Sequence, residues 1–155
     1  MRAFLRRKLL DPLARQLTQG VSPERLALAV ALGVVLGTFP VLGATTALCA
    51  VAGVALRLNQ PAIQVANYLA YPLQLALFIP FFQAGAWLFG APPVAFDLAD
   101  ARAALARDLL GTVATYAGAN LRAVIAWALV APPVALALRY ALRPLLARLR
   151  APAGA

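Results

Sequence analysis

No charged side chain falls between Arg25 and Arg57, and none between Arg57 and Asp97. Each of these two uncharged runs exceeds the roughly 18 apolar residues that mark a candidate membrane span. The expected fold class is therefore all-α, an integral membrane helical protein whose helices are broken by proline and glycine. Ser22-Pro23-Glu24 opens the first run with a helix-start pattern: a capping hydroxyl, a proline for the first turn and an acid at the positive dipole end. A single helix over residues 26–56 would be about 46 Å long, against a hydrocarbon core near 30 Å. The chain must bend, and Gly37-Thr38-Phe39-Pro40-Val41-Leu42-Gly43 supplies the break, since Pro40 removes a backbone donor while Gly37 and Gly43 permit unusual dihedrals. The two halves, 26–38 and 44–56, are too short to cross comfortably and suit a re-entrant hairpin.

The second broken segment, 61–90, follows the turn-like Arg57-Leu58-Asn59-Gln60-Pro61 and carries Pro72 and Pro80. Residues 97–108 have the composition of a short exposed helix with Asp97 as its cap. A final span of about 119–140 holds Trp127, Pro132 and Pro133. The expected organisation is thus a basic amphipathic interfacial segment over 1–21, a membrane domain over 22–144 and a basic tail over 145–155. The first apolar segment is expected to be retained, because it starts late and runs too long for a signal sequence.

A composition of 63% hydrophobic and 12% charged residues agrees with a lipid environment. The net charge of +9 does not point to nucleic acid, because the basic residues sit at the ends: Arg2, Arg6, Arg7, Lys8, Arg15 and Arg25 before the first run, and Arg139, Arg143, Arg148 and Arg150 after the last. That placement suits anionic lipid headgroups and a cytoplasmic position for both basic ends. If the first segment dips in and returns, the second crosses outward and the last crosses back, then Arg57 and the C-terminal arginines are inside and 97–108 is outside, as the positive-inside rule prefers. Two re-entrant segments would put those arginines outside.

Catalysis is not expected. All five acids lie outside the two uncharged runs, the chain has no histidine, and the single Cys49 lies within an apolar run. No metal set or cofactor is implied by this inventory.

The polar residues inside the apolar runs are the candidate functional groups. Gln60, Gln64, Asn67, Tyr71 and Gln74 are spaced by four, three, four and three, which places them on one helical face. Amides in hydrocarbon need partners, so this face is either a seam of interhelical hydrogen bonds or the wall of a binding site. Asn59 joins them as a candidate, as do Thr38, Thr45 and Thr46 around the break. If Ala44-Thr45-Thr46 opens the second half-helix, its positive end could take an anionic group; a plain structural turn is the other reading. Ala29, Gly33 and Gly37 recur every four residues and leave one helix face bare for close packing.

The stretches Ser22 to Ala27, Ala31 to Thr46, Leu56 to Pro61 and Tyr71 to Gln74 resemble the prokaryotic integral membrane family catalogued as domain of unknown function 2062, with the G-x-x-x-G-x-x-P-x-x-G spacing of Gly33, Gly37, Pro40 and Gly43 the most specific feature. Many relatives have Asn-Pro where this chain has Tyr71-Pro72, so it resembles a Tyr-Pro subgroup. The resemblance implies a multi-pass bacterial inner-membrane protein without an established activity, some of whose relatives are fused to glycosyltransferase domains. Two roles are then expected. One is a binding or transport module for a small or lipid-linked anionic substrate, assembled as a homo-oligomer or with a membrane partner protein. The alternative is a structural membrane partner of an envelope-assembly enzyme such as a glycosyltransferase.

Overall fold

The computed structural model describes residues 22–93 and 97–150, and the expected interfacial segment over 1–21 lies outside the described residues. Six helices follow in order, with no strand among the described residues: α1 Pro23–Gly37, α2 Thr45–Ala55, α3 Gln60–Leu69, α4 Tyr71–Leu88, α5 Leu98–Arg107 and α6 Leu109–Arg150.

Local chemistry sets most of the boundaries. Ser22 accepts a hydrogen bond from the Arg25 N–H at 3.3 Å, Asn59 accepts from Ala62 N–H at 2.9 Å, and Asp97 accepts from Ala99 N–H at 2.7 Å, so α1, α3 and α5 each begin on a capping side chain. Pro23, Pro61 and Pro72 occupy first turns, where a missing N–H costs nothing. The break after α1 ends with Gly43 at φ 85°, in the left-handed region. Helices α3 and α4 are offset by 61° at Ala70. Asp108 separates α5 from α6 and caps the latter by accepting from Gly111 N–H at 2.9 Å.

Helix α6 is much longer than the expected span over 119–140: it starts at Leu109 and continues through Arg150, including residues 145–150 of the expected tail. Arg122, Arg139 and Arg143 mark polarity changes along the sequence, but arginine is a good helix former, so the charges do not end the helix. Pro132, Pro133 and Pro144 also lie within it.

Small residues set the packing. A Cβ on Gly33 would collide with the Ile63 carbonyl oxygen and the Ala66 methyl, and one on Gly37 would come within 2.9 Å of the Ala70 methyl. Contacts therefore climb together, 33 to 63 and 37 to 70, so α1 and α3 run parallel with nearly bare backbone between them. Helix α2 returns between their ends, with Gly53 against the Gln60 side chain. Leu26, Ala29, Cys49, Leu58, Ala62 and Ile63 form the core of this three-helix unit. A second core joins Phe82 of α4 to Ala119 and Ala123 of α6.

Helix α6 runs antiparallel to α1, as two contacts show: Trp127 meets Thr38, and Arg143 meets Glu24. Both Nε and Nη2 of Arg143 lie 3.2 Å from Glu24 Oε1. Nearby, Arg25 donates to the Arg57 carbonyl at 3.3 Å, and Arg57 takes a positive φ of 52°. One end of the molecule thus gathers the start of α1, the turn after α2 and the last third of α6. Helix α5 and the start of α6 lie at the other end.

By length and composition, Leu109–Arg148 could cross a membrane, and the bent α3–α4 pair would be a second span if counted as one. Helices α1 and α2, with 15 and 11 residues, rise only about 22 and 16 Å.

Two outcomes follow from this packing. Gly33→Val should cost about 1–3 kcal/mol, because the new side chain meets backbone that cannot yield, and it should lower the melting temperature followed by circular dichroism. At Glu24, the main-chain N–H does most to hold the carboxyl below its ordinary 4.5; partial burial opposes this, while Arg143 and Ser22 add to the lowering. A depressed acid stabilises above its unfolded value and loses that contribution as pH falls through the folded value. The melting difference between the parent and Arg143→Gln should therefore be constant at neutral pH and vanish on acidification below 4.5.

Candidate functional site: a polar seam at the helix break

Where α1 stops, its last carbonyls need donors. The Thr38 and Phe39 N–H groups turn back to the Val35 and Leu36 carbonyls, at 3.1 Å each, and the Thr38 hydroxyl donates to Val35 at 2.8 Å. The same hydroxyl accepts from Trp127 Nε1 at 3.3 Å, while the Phe39 ring meets the Trp127 ring edge to face, 5.0 Å between centroids. The Phe39 carbonyl is taken by the Gln74 side-chain amide at 2.8 Å. Pro40, which has no N–H to satisfy, is fully buried beside them. The break is thus clasped from two sides, by α4 through Gln74 and by α6 through Trp127.

The rest of the predicted polar face lies along α3 and is turned toward α2. Gln60 donates to the Ala50 carbonyl at 2.9 Å and Gln64 to the Thr46 carbonyl at 3.1 Å. Asn67 lies within 3.5 Å of the Thr46 hydroxyl and 3.4 Å of Gln64 Oε1. The side chains of Asn67 and Gln74 are 3% and 2% exposed, yet no fully buried side-chain nitrogen or oxygen among the described residues lacks a partner. The amides therefore form an internal ladder, in which each side chain supplies a donor to an element that ends or turns nearby.

Thr38, Thr46, Gln64, Asn67 and Gln74 come together in this seam. Thr45 is buried at the first position of α2, whose N-cap, Ala44, offers no side-chain acceptor. Asn59 is at the far end of α3 as its cap. Tyr71 leaves the seam and is 54% exposed, because the 61° bend at Ala70 interrupts the helical count on which the spacing relied. Gln74 stays in, since the bend carries the first turns of α4 over the break. Gly33, Gly37, Pro40, Gly43 and Pro72 serve the close approach, the break and the turn into α4. Spacing within one segment did not show the part played by Phe39 and Trp127; the only sequence signal was an indole in an otherwise aliphatic stretch of α6.

Fold and seam together define an all-helical protein built on a broken helical hairpin, whose break is held by side chains from two later helices. The chain belongs to the family described as an uncharacterized protein conserved in bacteria, domain of unknown function 2062, whose model matches residues 4–152. No curated protein and no solved structure matches it.

Replacing Gln74 by Leu leaves the Phe39 carbonyl buried without its donor and should cost about 1–3 kcal/mol in thermal unfolding. Trp127→Phe keeps a ring against Phe39 but loses the N–H donor, for about 0.5–1.5 kcal/mol. Tyr71→Phe, outside the seam, should stay within about 0.5 kcal/mol of the parent.

Proposed function

We propose that the chain is a multi-pass protein of the bacterial inner membrane, with the start of α1 and the end of α6 on the cytoplasmic side, and that it serves as a structural partner of another membrane protein rather than as an enzyme. Several features support the membrane reading. Side chains of Trp87, Leu110, Leu69 and Val54 are more than 70% exposed, which suits lipid contact better than water. Helices α1 and α2 are each shorter than the roughly 30 Å of a hydrocarbon core, and the Arg25–Arg57 contact brings their outer ends together, as a re-entrant hairpin requires. In this orientation Arg57 and the arginines of the last third of α6 share the cytoplasmic side and α5 faces outward, which satisfies the positive-inside preference.

The observation that carries the structural role is the seam itself. Its amides donate to carbonyls of α2 and of the break, or to Thr46 and to one another, so they are spent on holding the hairpin against α3. Irregular backbone at membrane depth needs such cover, and a module braced from within presents its apolar outer faces to a partner protein or to a second copy. A specific feature favours a second reading, a binding module for a small or lipid-linked anionic substrate. Helix α2 starts without a side-chain cap, beside the exposed Gly43 and Thr46, where its positive end could meet an anion.

Gln64→Ala and Asn67→Ala separate the two roles in a deletion strain carrying each variant, with the protein level in the membrane fraction measured alongside complementation. The structural role predicts that complementation falls only in proportion to protein level. Lost complementation at the parental level would overturn it in favour of a substrate site.

A further inference from the structure

The ends of α5 and α6 enclose a groove that the seam does not explain. It is open, holds about 610 Å³, and lies at the end of the molecule opposite the Glu24–Arg143 pair. Pro92 and its neighbour form one wall, Arg107 in the last turn of α5 another, and Thr112, Tyr116 and Arg122 line the α6 side. Thr112, Thr115, Tyr116 and Arg122 fall within about 120° of the α6 circumference, so hydroxyls and a guanidinium line the same groove.

The two arginines stand out because they line one groove from two different helices, and neither is paired with an acid among the described residues. Among the described residues, neither Arg107 nor Arg122 makes an ion pair or a hydrogen bond through its side chain. Arg122 is only half-exposed, and its backbone is pinned: a Cβ on Gly85 of α4 would come within 2.6 Å of the Arg122 carbonyl carbon. Its guanidinium lies back along the helix, with Nη1 3.7 Å from where a Gly118 Cβ would be, a direction that leads toward the groove. Asp108 is the one acid in the lining, and its Oδ1 is committed to the Gly111 N–H. The lining therefore carries two positive groups against one negative group, and the positive start of α6 adds to the field.

We infer that this groove binds a phosphate group, held between the Arg107 and Arg122 guanidinium groups with the Tyr116 and Thr112 hydroxyls as further donors. A tetrahedral phosphate carries more negative charge than a carboxylate and spreads its acceptor oxygens in three dimensions, so it meets guanidinium groups from two walls and a hydroxyl together better than a planar carboxylate does. The groove volume is that of a small-molecule site, so the group bearing the phosphate has room against the proline wall. The phosphate can come from a lipid headgroup or from a soluble phosphate ester. Nothing in this inference depends on the structural role proposed above.

The test uses the full chain and two charge-matched double variants: Arg107→Gln with Arg122→Gln in the groove, and Arg139→Gln with Arg148→Gln at the opposite end. Melting in detergent is followed with inorganic phosphate and with glycerol phosphate. In parallel, phosphatidylglycerol retained from nanodiscs that also contain phosphatidylcholine is counted by native mass spectrometry. A soluble phosphate that stabilises the parent and the end-variant, with binding about tenfold or more weaker in the groove variant, identifies a soluble-ester site. No response to soluble phosphate, but phosphatidylglycerol retained by the parent and the end-variant and lost from the groove variant, identifies a headgroup site. If neither probe distinguishes the two variants, or the end-variant loses as much as the groove variant, the inference is overturned. Arg107→Gln alone, at an exposed side chain without contacts, repeats the comparison should the double groove variant fail to fold.

Discussion

An interrupted helix leaves carbonyls and N–H groups that must be satisfied where it stops, and in this chain the interruption lies in the middle of the molecule, away from any charged end. The remainder of the fold can be traced to that requirement. Thr38 and Phe39 turn the last carbonyls of α1 back on themselves, and Gln74 and Trp127 supply what the turn cannot. Because those two side chains belong to α4 and α6, satisfying one stretch of backbone also fixes where two distant helices sit. A buried carbonyl left without a donor costs more than the bond is worth when made, so the clasp enforces position as much as it adds stability.

Small residues complete this arrangement. Gly33 and Gly37 allow α3 to lie against α1 almost backbone to backbone, and that closeness puts Gln64 and Asn67 within reach of Thr46 on α2. Apolar packing and polar seam are consequently coupled: widening the α1–α3 contact would pull the amides from their acceptors. The same geometry sorts charge, with Glu24, Arg25, Arg57 and Arg143 gathered at one end and the guanidinium groups of Arg107 and Arg122, unpaired among the described residues, at the other.

The sequence revealed much of this where the signal was local. Ser22-Pro23-Glu24 and Asp97 are capping patterns that act within one turn, Pro61 marks a first turn, and Gly37 to Gly43 is a break whatever surrounds it, whereas Asn59, a binding candidate by sequence, proves to cap α3. The polar face of α3 was legible because three of its residues, Gln60, Gln64 and Asn67, share one uninterrupted helix. Reading failed where geometry crossed a boundary. Tyr71 left the face since Ala70 bends the chain, and α6 ran past its expected limits because arginine changes polarity without ending a helix. Phe39 and Trp127 are 88 positions apart in the chain, and no period connects them.

The proposed topology, a hairpin that enters from one side and returns followed by an outward and an inward crossing, makes a firm statement about sides. In a Cys49→Ala background, single cysteines at Arg57→Cys, Arg102→Cys and Arg148→Cys would be labelled in intact cells with a membrane-impermeant maleimide, before and after permeabilisation. Labelling at position 102 in intact cells, and at 57 and 148 only after permeabilisation, is the result expected. Labelling at position 57 from outside would make α1 and α2 a plain crossing and would contradict the re-entrant hairpin.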